Sequence, residues 1–153
     1  MQMAAELIRK DSLQNVRAAD GKTQLFRMAV YPESDRGCFL SLLTGFYIEA
    51  DGIEIPSAAQ YLSLHGQPMR RIEQLRTQCW EHWDPREEAW LYLEGHLDPG
   101  MHAIKFAEGI MSGLFKTEDS WLENPPQPGF GWHGSSRRVS EYELELQKDE
   151  AVL

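Results

Sequence analysis

A chain of 153 residues, 42% hydrophobic, 10% aromatic and 25% charged, has the composition of one ordinary soluble domain. At this size roughly 70% of the surface exposed by the unfolded chain can be buried, so neither a metal nor a disulfide is needed to hold a core. Its 15 basic and 24 acidic residues leave a formal charge of -9, which argues against a general nucleic-acid binder or a partner of anionic membranes, since both need cations.

The imbalance belongs to one half of the chain. Residues 1–80 hold nine basic and nine acidic residues, and residues 81–153 hold six and fifteen. All five Trp lie between Trp80 and Trp132, a density of aromatics that acidic disordered segments lack. Cys38 and Cys79 show neither CxxC spacing nor clustering with histidine, and MQMAAELIRKDSLQ has no apolar signal-peptide core. No apolar run approaches the ~20 residues of a membrane span. The expectation is a cytoplasmic protein with two reduced thiols. His65, His82, His96, His102 and His133 lack ligand-like spacing, so neither a metal nor a cofactor is expected.

In chain order, residues 1–22 read as an N-terminal extension with a short amphipathic turn, and Thr23 to Val30 as a strand. Phe46 to Ala50 and Ile53 to Ile55 alternate apolar and polar residues on either side of Asp51-Gly52, the pair that suits a type I′ turn, and predict a β-hairpin. Pro56-Ser57 then predicts a helix start, with Gly66 as its stop. A second helix is predicted from Pro68 toward Trp83. A third runs from Asp84-Pro85, with Glu87 and Glu88 in its first turn, to about Leu97, and a fourth from Met101 to Phe115. Ser120 to Glu123 suits a short strand, Asn124 to Ser136 is an irregular Pro/Gly loop, and Tyr142, Leu144 and Leu146 alternate with glutamates as a half-wet strand. The predicted fold class is α+β: a single domain over 1–153 with an N-terminal β-hairpin, a helical middle and closing short strands, ending in a strand and tail over 141–153.

Several segments occur in the order of a known family's motifs. Phe39-Leu40-Ser41, then Asp51-Gly52-Ile53-Glu54-Ile55-Pro56-Ser57-Ala58-Ala59-Gln60-Tyr61, resembles F-L-S-N followed by D-G-x-x-[YF]-P-[ST]-x-E-x-Y of the NADAR or YbiA-like N-glycosidases. Asp84-Pro85 to Trp90, Lys105-Phe106, Leu114 to Glu123 and Trp132-His133-Gly134 resemble later segments, so the likeness extends over about 39–134. It implies a largely helical α+β fold with a cleft for a ribosyl or ADP-ribosyl nucleotide. Cleavage of the bond from C1′ to nitrogen there would need a carboxylate to stabilise an oxocarbenium-like sugar.

This chain departs from the pattern where the chemistry lies. The family's glutamate falls on Ala59, its lysine on Gly66 and its asparagine on Leu42, and its aspartate falls among Gln127, Pro128 and Gly129. The catalytic residue is therefore unknown, with Glu123 and Glu54 as replacement acids. Gln60, Trp90 and Trp132 are candidates to line a ligand cleft, and Arg70 and Arg71 to hold a phosphate, each against the plainer reading of a core aromatic or a solvated charge.

The expected function is a diverged, catalytically degenerate member that binds a nucleotide-like small molecule or a protein partner. Two alternatives are an active N-glycosidase with a relocated carboxylate, acting on ribosylamino-pyrimidine phosphates or ADP-ribosylated guanine, and an acidic mobile-element interaction protein or inhibitor that mimics nucleic acid. Binding is favoured over catalysis. No oligomeric state is implied.

Overall fold

The structure, a computed structural model, describes residues 6–110 and 139–153. Twelve strands cross these residues: β1 (Gln14–Arg17), β2 (Gln24–Val30), β3 (Cys38–Phe39), β4 (Leu43–Ala50), β5 (Ile53–Glu54), β6 (Gln60–Ser63), β7 (Arg70–Arg71), β8 (His82–Trp83), β9 (Ala89–Glu94), β10 (Met101–Ile110), β11 (Ser140–Glu145) and β12 (Ala151–Val152). They form a six-stranded sheet in the order β12-β1-β2-β9-β6-β7, a four-stranded sheet in the order β11-β10-β4-β5, and the two-stranded pair β3-β8. Short 3-10 turns occupy Leu40–Leu42, Ser57–Ala59 and Ile72–Thr77. No helix among the described residues is long and apolar enough to cross a membrane.

The predicted α+β class with a helical middle is therefore corrected to a mostly β fold. The four predicted helices give, in turn, a single 3-10 turn running into β6, the β7 strand with the 3-10 turn of Ile72–Thr77, the strand β9, and, up to Ile110, the strand β10, the rest of the fourth lying outside the described residues. Alanine, leucine, glutamine and glutamate give these segments good local helix propensity, but propensity is a weak prior that tertiary pairing overrides. In β9 the true period is two: Ala89, Leu91 and Leu93 join the core, while Trp90, Tyr92 and Glu94 face the other way. Because Tyr92 is buried as well, the stretch reads as a continuous apolar run rather than an alternation.

Other expectations hold. The predicted strand over 23–30 is β2, the hairpin is β4-β5, and the acidic alternation near the C-terminus is β11. At the hairpin tip Asp51 and Gly52 both take positive φ, 51° and 84°, as a type I′ turn requires. Asp51 has a second task, since its carboxylate accepts from the Ala103 N–H at 2.9 Å and meets His102 Nδ1 at 2.6 Å. The hairpin is thereby tied to β10. The predicted N-terminal extension instead supplies β1, an inner strand of the large sheet, paired antiparallel with β2 and parallel with β12.

One apolar core lies between the two large sheets. Phe26, Met28, Val30, Leu62, Leu91 and Leu93 come from the six-stranded sheet, and Leu43, Phe46, Ile48, Ile104, Phe106 and Leu144 from the four-stranded sheet. Phe46 stacks on Phe106 with ring centroids 5.4 Å apart and meets the buried Trp83 edge-on at 6.4 Å. Burying such side chains contributes about 1.5–3 kcal/mol each relative to exposure, before the cost of chain entropy.

Candidate functional site

The pleat of the six-stranded sheet sends alternate residues away from this core, and strand register aligns them. Gln14 of β1 lies opposite Arg27 of β2, Arg27 opposite Tyr92 of β9, Tyr92 opposite Tyr61 of β6, and Tyr61 opposite Arg71 of β7. Five strands therefore present one row: amide, guanidinium, phenol, phenol, guanidinium. Trp90 stands two residues along β9 on the same face.

Within the row Arg27 is fixed on several sides. Its Nε and Nη2 donate to Gln14 Oε1 at 3.1 and 2.9 Å, and its Nη1 donates to the Tyr92 hydroxyl at 3.1 Å. The guanidinium carbon sits 3.7 Å from the centroid of the Trp90 ring, and that of Arg9 5.5 Å from it. Cation–π attraction of this kind contributes about 0.5–2 kcal/mol, more as water is excluded. Arg9 in turn pairs with Glu88 and, at 3.0 Å, with Asp11. Beside these groups opens a groove of about 480 Å³, lined by Arg9, Gln14, Arg27, Trp90 and the chain from Glu145 to Asp149.

At the far end of the row, Arg71 lies over the Tyr61 ring at 5.1 Å, and the Tyr61 hydroxyl donates to Glu94 at 3.1 Å. Burial, together with that carboxylate, raises the phenol above its ordinary range.

The sequence-derived candidates scatter over this architecture. Trp90 and Arg71 lie on the outward row. Gln60 is wholly buried, where its Oε1 accepts from the Phe46 N–H at 3.1 Å and its Nε2 donates to the Phe46 and Ile55 carbonyls at 2.8 and 2.9 Å. It stitches β6 to β4 inside the core. Arg70 forms a two-pronged pair with Glu81, both contacts at 2.8 Å, so its phosphate-binding geometry is already occupied. Glu54 stands exposed on β5 opposite Glu49, on the other sheet. Ala59 ends a 3-10 turn and packs against the core. Glu123 and Trp132 lie outside the described residues.

Two histidine clusters brace the fold. His65 joins Glu81 at 2.8 Å and Glu87 at 3.0 Å, and the bonds to both carboxylates outweigh the opposing effect of burial, so its pKa rises. The Arg70 guanidinium, aided by His65, holds the Glu81 carboxyl down at about 2. In His102, burial likewise opposes the charge, but the bonds to Asp51 and to the Asp98 carbonyl raise the pKa.

Sequence reasoning missed Arg27, Gln14, Tyr92 and Arg9. A signal was present for one of them: Arg27 is the lone charge in the otherwise apolar run Leu25 to Val30. A cation in such a strand either faces solvent or has a built site.

The fold and the row together define a β-sandwich protein with a cation–aromatic outer face. A family model described as CGDB, C-glycoside deglycosidase beta subunit, matches residues 3–112, and the chain belongs to that family. The matched span carries every residue of the row. No curated protein matches the chain.

Proposed function

We propose that this chain is the β-type subunit of an enzyme that releases sugars from C-glycosides, and that it works against a companion chain rather than alone. The family match over residues 3–112 carries this reading. A C-glycoside joins the sugar to its aglycone through carbon, so the nitrogen-linked substrates implied by the NADAR resemblance are replaced by carbon-linked ones. The degenerate, binding role expected from the loss of the motif's acid at Ala59 becomes, on this reading, the role of a subunit whose partner completes the active site.

The surface supports a partner. Trp80 is 92% exposed and Phe39 43% exposed, and both belong to the region around the β3-β8 pair, where Phe39 meets His82 edge-on at 4.9 Å. Exposed tryptophans of this kind are typical anchors of subunit interfaces, where one such residue can contribute 2 kcal/mol or more, as an order of magnitude.

The test is to mix the chain with the companion subunit of a C-glycoside deglycosidase and to follow both co-sedimentation and aglycone release from a C-glucoside. The two chains are expected to sediment together and to release aglycone only in combination. Trp80→Ser is expected to weaken association at least about tenfold without altering the fold, in line with loss of an interface anchor. Aglycone release by this chain alone, or failure of the chains to associate, overturns the reading.

A further inference from the structure

Three arginines of the described residues are half-buried: Arg9, Arg27 and Arg70. Two have carboxylate partners, Arg9 with Glu88 and Asp11, and Arg70 with Glu81. Arg27 has none among the described residues, although the chain carries 24 acidic side chains. Its contacts are to neutral acceptors and a ring: the Gln14 amide oxygen, the Tyr92 hydroxyl and the Trp90 face. A partly desolvated cation held by neutral groups keeps its charge available for a further partner.

The hydrogen-bond inventory says what chemistry that partner has. A guanidinium carries five N–H groups. Three are used, one each on Nε, Nη1 and Nη2. One N–H therefore remains on each terminal nitrogen, and an ionised carboxylate is the acceptor that a guanidinium's unused N–H groups bind most strongly. Stacking on Trp90 and the anchors from Gln14 and Tyr92 fix the guanidinium plane in advance, which lowers the ordering cost of binding.

The groove supplies the remaining constraints. Its volume of about 480 Å³ is that of a small-molecule site. On its wall the carboxylates of Asp11, Glu145 and Asp149 offset the cations of Arg9, Arg27 and Lys148, a balance that favours a singly charged ligand over a polyanion such as a phosphate ester. These carboxylates, with Gln147 beside them, offer partners for hydroxyl groups. We infer that Arg27 and the groove beside it form a binding site for a small hydroxylated monocarboxylate of the sugar-acid type. This inference rests on the groove and is independent of the subunit reading.

Calorimetric titration of the intact chain with glucuronate, glucose and acetate tests it. Glucuronate is expected to bind at least about tenfold more tightly than either comparator, because only it offers both the carboxylate and the hydroxyls. Arg27→Gln is expected to abolish that preference, and Arg27→Lys, which keeps the charge and loses the fork, to weaken it at least several-fold. Should the variants fail to fold, the wild-type Arg27 Nε–H and Trp90 indole N–H resonances decide: both are expected to shift with glucuronate while that of the buried Trp83 stays still. Equal affinity for glucose and glucuronate, unchanged binding in Arg27→Gln, no binding of glucuronate, or unmoved Arg27 and Trp90 resonances overturns the inference.

Discussion

The outer faces of the two large sheets are built by the same alternation and end as opposite surfaces. On the six-stranded sheet, Val16, Leu25 and Tyr92 point away from the main core yet are 5%, 2% and 4% exposed, because Ala18, Tyr61, Met69, Trp90 and Ala151 cover them. On the four-stranded sheet the corresponding row is Glu54, Glu49, Lys105 and Glu141, aligned strand by strand, with only Lys105 to offset three carboxylates. Its Lys105–Glu141 contact, at 3.8 Å between exposed groups, adds little. One face thus carries a second small apolar layer under a set of stacked cations, and the other is solvated charge. A sheet face becomes a site where large planar side chains roof it and hold a polar group in one place.

The largest expected effect tests whether the first face is truly packed. Tyr92→Ala removes a nearly buried ring and the hydroxyl that orients Arg27, and it should destabilise the protein by about 3 kcal/mol in urea denaturation. A loss below about 1 kcal/mol would make this face as wet as the other and remove the contrast. Next, Gln60→Leu leaves the Phe46 N–H and the Phe46 and Ile55 carbonyls without their side-chain partner inside the core, at an expected cost of about 1–3 kcal/mol. Stability unchanged in that variant would show that these bonds do not hold β6 to β4.

Each sheet also has a histidine clamp, and pH separates them. The raised pKa of His65 and of His102 means that their contributions are complete below the unfolded value of 6.5 and fade as pH rises through the folded values. Urea midpoints should therefore fall on the alkaline side of pH 6.5. His102→Gln should remove the part of that fall belonging to the four-stranded sheet, and His65→Gln the part belonging to the six-stranded sheet. At the acid end the sign reverses. Glu81, lowered from 4.5 to about 2, contributes above pH 4.5 and loses its contribution as pH drops toward 2, and Glu81→Gln should flatten that limb.

The smallest effect concerns the wet face. Glu54→Lys replaces a like-charged cross-strand pair with an opposite one against Glu49, and it should stabilise by about 0.2–1 kcal/mol at low salt, less in high salt. Melting in both salts checks this.

What could be read from the sequence was what short-range rules govern. Asp51-Gly52 announced its hairpin because few residue pairs accept two positive φ angles in succession. The strand from Gln24 and the acidic alternation of Ser140–Glu145 followed from a period of two with one face wet. Trp90 and Arg71 were legible as chemistry-bearing residues but not as neighbours of one row. The middle of the chain misled because its strands are buried on both faces or lie beside 3-10 turns, so alternation was hidden and local helix propensity stood unopposed. Arg27, which has no motif around it, acquired meaning only when Gln14, Tyr92 and Trp90 arrived from other strands. Composition, charge and local turn chemistry thus set the class of elements that were possible. Strand register, which couples residues up to 78 positions apart in the row from Gln14 to Tyr92, decided where the cation would stand and what would surround it. That decision is tertiary because a lone guanidinium on a strand is only a surface charge until other strands supply its acceptors, its ring and its groove.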